Sequence, residues 1–149
     1  MEREKFEKLV SEGYECLPEW VREKIKNVAL LVEDEPSTED RKEQGLAECE
    51  TLLGLYKGIP LSERGEQYGV GMTLPDTITL YQRPIEVSAE EELHNDIVSR
   101  YNDLRYRYEE LFSEHVRQIV ADTVWHEFAH HFGMNEGEVR DRERRRGEF

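Results

Sequence analysis

The sequence is short of cysteine, has no long apolar run and carries no surplus of positive charge. Two cysteines, Cys16 and Cys49, cannot make a disulfide framework; the expectation is a pair of reduced thiols in a cytoplasmic protein. No apolar stretch approaches the roughly 20 residues needed to cross a bilayer. The opening Met1–Phe6 is charged, where a secretory signal would be apolar. Acids outnumber bases 34 to 20, for a formal net charge of −14. Such a chain is repelled by nucleic acid and by anionic membranes alike, so neither is expected as a partner. Apolar residues make up 37% and charged residues 36% of the 149 positions. That low apolar share suits one modest core and a single domain over 1–149, with 140–149 as a basic tail.

Along the chain the apolar residues fall into periodic segments. Phe6, Leu9, Val10 and Tyr14 stand at helical spacing, and the pattern restarts at Leu17-Pro18-Glu19-Trp20-Val21. Residues 3–26 therefore read as helix with a break near Cys16, Pro18 opening the second piece. Asn27–Val32 is a short branched apolar run and reads as a buried strand. Residues 33–48 read as an acidic loop with a helical turn near Thr38–Gln44. Leu52–Pro60 reads as a second strand, its glycines and terminal proline suiting a sheet edge. Residues 61–76 read as Gly-rich loop, and Thr77–Arg83 alternates as a third strand stopped by Pro84. From Ser88 to Phe132 there is neither proline nor glycine. Ser88-Ala89-Glu90-Glu91 has the form of a capping box. One unbroken helix from there would be about 65 Å long, too long for a domain of this size, so two helices with a joint near Ser99–Leu104 are expected. The second should end at Gly133. The order predicts an α+β fold: a small mixed or antiparallel sheet packed on helices.

The chemistry is concentrated near the C-terminus, in His126-Glu127-Phe128-Ala129-His130. At about 100° per residue, positions i and i+4 of a helix differ by only about 40°. Two imidazoles so placed can reach one ion at about 2.0–2.1 Å. Glu127 lies about 100° round from His126, on the flank of that point, where it can reach a metal-held water without competing for the metal. Val116, Ile119, Val120 and Thr123 share the histidine side; Ala121, Trp125, Phe128 and Phe132 lie opposite. A helix apolar nearly all round is a buried one, and two ionisable groups placed together on it need a partner such as a metal. Gly133 lets the chain turn back sharply, so that Glu136 can offer a carboxylate and complete a His₂Glu set, three protein ligands plus water being characteristic of catalytic zinc. Glu138 and Asp141 are the reserves on the same segment.

These residues resemble a known family. His126 to Glu136 matches the H-E-x-x-H-x-x-G-x-x-H/D spacing of zincin metallopeptidases. More narrowly, His-Glu-x-x-His-His-Phe-Gly followed by an acid is similar to the short bacterial and archaeal minimal zincin-like metallopeptidases. Asn27–Glu35 before Pro36, Leu52–Pro60 and Leu74–Pro84 agree with that group, so the resemblance covers most of 17–139. It implies a zincin-like α+β fold with a buried helix carrying the motif and one catalytic zinc on His126, His130 and Glu136. It further implies Glu127 as general base, and hence a zinc metalloendopeptidase that hydrolyses peptide bonds by a metal-activated water. The family pattern has Asp where this chain has Glu136; the stretch Ser99–Glu114 is longer, and the arginines from Arg140 to Arg146 are unlike the family.

Other readings of the same residues stand beside this one. The histidines could be packed core residues and Glu127 an orienting partner. The domain could be a non-catalytic, zinc-stabilised protein-interaction module, or a zinc hydrolase of a non-peptide substrate. A His₂-carboxylate set also accepts iron, cobalt or nickel. His131 points about 140° from His126 and reads as a packed neighbour of the site. His94 and His115 read as surface or boundary residues, and the tyrosines and arginines of 100–108 as a half-buried helix face with snorkelling arginines.

Overall fold

The computed structural model describes residues 1–58, 76–99 and 107–131, without the side chains of 96–99. Helix α1 (Arg3–Glu15) forms because Phe6, Leu9, Val10 and Gly13 make one buried stripe. The break comes at Cys16, and Pro18 caps the start of α2 (Glu19–Lys24). Strand β1 (Ala29–Glu33) follows, then the short α3 (Thr38–Glu43), whose first turn is capped by the Ser37 hydroxyl accepting from the Asp40 N–H. Strands β2 (Gly54–Lys57) and β3 (Thr77–Tyr81) complete a three-stranded mixed sheet in the order β1-β3-β2. β3 runs parallel to β1 and antiparallel to β2. The expected edge strand is thus at an edge, and the last strand in sequence is the central one.

Pleating separates the two faces of the sheet. Ile78 and Leu80 face the core with no exposure, with the partly buried Leu30 and Val32 of β1 packed beside them. Leu31 is exposed; β1 is an edge strand and not the buried strand its apolar run predicts. Opposite Ile78 and Leu80 lie Thr79, Tyr81 and Lys57, under α3. There the Lys57 ammonium pairs with the buried Asp40 at 2.7 Å, which holds the Asp40 carboxyl below its ordinary value. Burial, with the charges of Asp40 and Glu33 beside it, pushes the Tyr81 phenol up to about 12.

Helix α4 (Gln82–Ser99) starts directly after β3, earlier than the sequence pattern predicts. Pro84 does not stop the chain; it lies in the first turn, where N–H groups have no intrahelical acceptor to lose. Arg83 N–H is met instead by the Asp34 carbonyl at 3.1 Å. Ser88 consequently sits inside the helix and caps nothing. Ile85, Ala89 and Leu93, four apart, are the fully buried stripe. Helix α5 (Tyr108–His131) carries the histidine motif. The joint expected near Ser99–Leu104 falls almost wholly outside the described residues, as do Gly133 and the basic tail. α5 is central: α1 and α4 pack on it, it lies across the sheet, and Val116, Val120, Val124, Phe128 and Ala129 are all nearly or fully buried. No helix among the described residues is long and apolar enough to cross a membrane.

Where α1 crosses α5 the backbones nearly touch. A Cβ on Gly13 would stand 2.8 Å from the Arg117 carbonyl oxygen and 2.9 Å from Val120 Cγ1. Gly13→Ala should cost about 1–3 kcal/mol in urea unfolding, the range for an overpacked core. Asp40→Asn tests the buried pair by its pH dependence. A carboxylate with a lowered folded pKa contributes stability that is present above its ordinary value of 3.8 and lost as pH falls through the folded value. The variant should therefore be less stable than the parent at pH 7, with the gap closing as the solution is taken below pH 3.8.

Candidate metal centre

The last turns of α5 place His126 and His130 one above the other, as an i, i+4 pair must be. Their rings are 4.6 Å apart between centroids and inclined at 64°, and the two Nε2 atoms converge to 3.0 Å. Two ring nitrogens bound to one tetrahedral ion at about 2.0–2.1 Å are about 3.3 Å apart. The donors present therefore fit a divalent ion such as zinc, which would take the place of the contact between the two ring nitrogens. Among the described residues there is no group of three or more His, Cys, Asp or Glu able to hold a metal. The expected third ligand, Glu136, and its reserves, Glu138 and Asp141, lie outside the described residues.

Glu127, next to His126, is half-buried and turns toward the sheet edge. Its Oε2 accepts the Tyr56 backbone N–H at 3.2 Å. Burial raises the proton affinity of this carboxyl; the Tyr56 N–H and the two imidazoles work in the opposite direction. The availability of that N–H follows from strand pairing. Tyr81 N–H donates to Leu53 O, so in the alternating antiparallel ladder Leu55 and Lys57 direct their backbone groups at β3. Gly54 and Tyr56 direct theirs outward, over the site.

β2 runs alongside α5 in step with it. Two strand residues advance about 6.8 Å and four helix residues about 6 Å. Gly54 lies at Thr123, Tyr56 at Glu127 and Gly58 at His131, and the contacts are close. A Cβ on Gly54 would stand 2.6 Å from Thr123 Cγ2 and 3.0 Å from the Thr79 carbonyl oxygen; one on Gly58 would stand 3.1 Å from His131 Cε1. The sequence carried a signal for Gly54, since a glycine inside a strand marks a close approach. It carried none for Tyr56.

From this seam a cleft of about 1130 Å³ opens between Thr51–Gly54 and the Asp122–Glu127 side of α5, with His126 and Glu127 in its wall and Cys16 and Pro18 at its far end. Of the other histidines, His131 stacks on the Tyr56 ring, His115 Nδ1 lies 3.0 Å from Glu92, and His94 is exposed. Cys16 and Cys49 are exposed and unbridged.

A family model described as zincin-like metallopeptidase matches residues 25–100 and 105–146, a span that contains the sheet, both long helices and the histidine motif. No curated protein matches the chain.

The seam can be probed without reference to any reaction. Gly54→Ala should destabilise the fold by about 1–3 kcal/mol. Adding Thr123→Ser, which removes the obstructing Cγ2, should recover part of that loss in a double-mutant cycle followed by chemical unfolding.

Proposed function

The chain belongs to the zincin-like metallopeptidase family, and from that premise we propose that it is a zinc-dependent endopeptidase in which His126, His130 and Glu136 hold the metal and Glu127 is the general base. One observation carries the reading. Two imidazole nitrogens converge to 3.0 Å, His126 and Glu127 line an open cleft, and the Glu127 carboxylate is fixed there by a backbone N–H.

Zinc held there would act as a Lewis acid, acidifying water and polarising a scissile carbonyl. The protein's own groups do the rest. Glu127 takes a proton from the attacking water and returns it to the departing amine. Its half-buried position suits both halves of that task, because burial raises its hold on a proton while the Tyr56 N–H keeps the carboxylate in place. A peptide substrate lies extended along β2, pairing with the outward backbone groups of Gly54 and the Tyr56 carbonyl. The cleft then receives its side chains between the strand and α5. A net charge of −14 disfavours nucleic acid as a substrate. Two exposed, unbridged thiols suit a reducing compartment, and the proposal places the enzyme in the cytoplasm.

Glu127→Gln separates metal binding from catalysis. The variant should keep its zinc by elemental analysis and lose about 10²–10⁴-fold in kcat on a peptide library, the span expected for a general base. Undiminished cleavage would end the mechanism. Chelation that unfolds the parent, with no peptide in the library cut, would instead favour a zinc-stabilised interaction domain.

A further inference from the structure

Tyr56 is gripped by α5 twice. Its backbone N–H donates to Glu127 Oε2 at 3.2 Å. Its ring lies flat on the His131 imidazole, centroids 3.8 Å apart and planes 15° from parallel. The phenol hydroxyl donates to Asp76 Oδ2 at 3.0 Å, and His131 Nε2 stands 3.9 Å from that same oxygen. Asp76 is itself fixed, because it directly precedes β3 and its carbonyl accepts the Ala29 N–H of β1 at 2.8 Å. Glycine at 58 leaves the space that the imidazole occupies.

The arrangement has a mechanical consequence. Glu127 and His131 are four residues apart, one turn of α5, so two successive turns hold the backbone and the side chain of one strand residue. β2 is a four-residue edge strand with a glycine at its start and another just past its end. Such an edge is paired on one side only and is easily displaced. The N–H that steadies the Glu127 carboxylate is part of that edge, and a glutamate side chain has enough rotamer freedom to drift if the donor drifts.

We propose that His131, seated against Asp76, is a positioning residue for the base: by clamping the Tyr56 ring it fixes where the Tyr56 N–H points, and so where the Glu127 carboxylate sits beside the His126–His130 pair. This rests on the reading of Glu127 as the general base. The clamp acts through ring stacking and needs no charge on the imidazole. His131 is not among the residues that line the cleft.

The experiment uses the full chain with zinc and compares His131→Ala and His131→Phe with the parent in two measurements. In amide hydrogen exchange, His131→Ala should speed exchange at Tyr56 by about tenfold or more, while Leu55 and Lys57, bonded into the ladder, keep their rates. In peptide cleavage, kcat should fall by about 10- to 100-fold, the scale of a sub-ångström to ångström misplacement, with KM and zinc content nearly unchanged. His131→Phe, which restores a stacking ring without the imidazole nitrogens, should return both readouts close to the parent. Unchanged exchange at Tyr56 would overturn the clamp, as would a rise shared equally by Leu55 and Lys57, which marks general loosening. Faster Tyr56 exchange with kcat untouched would overturn the positioning role. The exchange measurement needs no turnover: a parent that cuts no peptide yet shows the selective response at Tyr56 would sink the peptidase reading and leave the clamp standing.

Discussion

The structure depends on one close seam, the edge strand β2 lying in step with the final turns of α5. Strand and helix advance by nearly equal distances when two residues of one are set against four of the other. The match lets Gly54, Tyr56 and Gly58 meet Thr123, Glu127 and His131 in turn. A Cβ at position 54 would stand 2.6 Å from Thr123 Cγ2, so glycine there permits the close approach of the strand whose Tyr56 N–H meets the carboxylate. Close packing here therefore has an electrostatic result, since it brings a backbone dipole to a half-buried acid.

The seam is one of several contacts that bury one side of the motif helix. A metal on the surface of a solvated helix would have water on most sides. α5 instead has α1, α4 and the sheet packed on it, and its Gln118–Glu127 stretch lines the cleft. The i, i+4 spacing on that helix sets the two imidazoles side by side, and their Nε2 atoms converge to 3.0 Å. His126, Glu127 and His130 all stand on this one packed helix, and a site built on a helix is held more closely than one on loops.

Much of this was legible before any coordinates. The i, i+4 pairing of His126 and His130 is a property of the helix itself, and an apolar periphery around the pair marks the helix as buried. The glycines of 54–58 pointed to an edge, and β2 lies there. The start of α4 is not legible locally, because Pro84 and Ser88 have the form of a stop and a cap. In the fold Pro84 occupies the first turn of a helix entered straight from β3, and the Asp34 carbonyl meets the Arg83 N–H that follows the strand. A local pattern cannot report a hydrogen bond from a loop some fifty residues earlier.

The sequence by itself determined the chemistry of the site: which imidazoles share a helix face, which carboxylate flanks them, and that the helix bearing them is buried. These follow from spacing within a few residues, where covalent geometry and the helical period leave little choice. Only the tertiary structure decided that β3, last in sequence, lies between β1 and β2, and that Tyr56, Asp76 and His131 form one cluster beside Glu127. Their positions are separated by tens of residues, so they meet only after loops close and strands choose a register. That register is decided by how a glycine-bearing edge packs against a particular helix, which is a property of the assembled core and of no single segment.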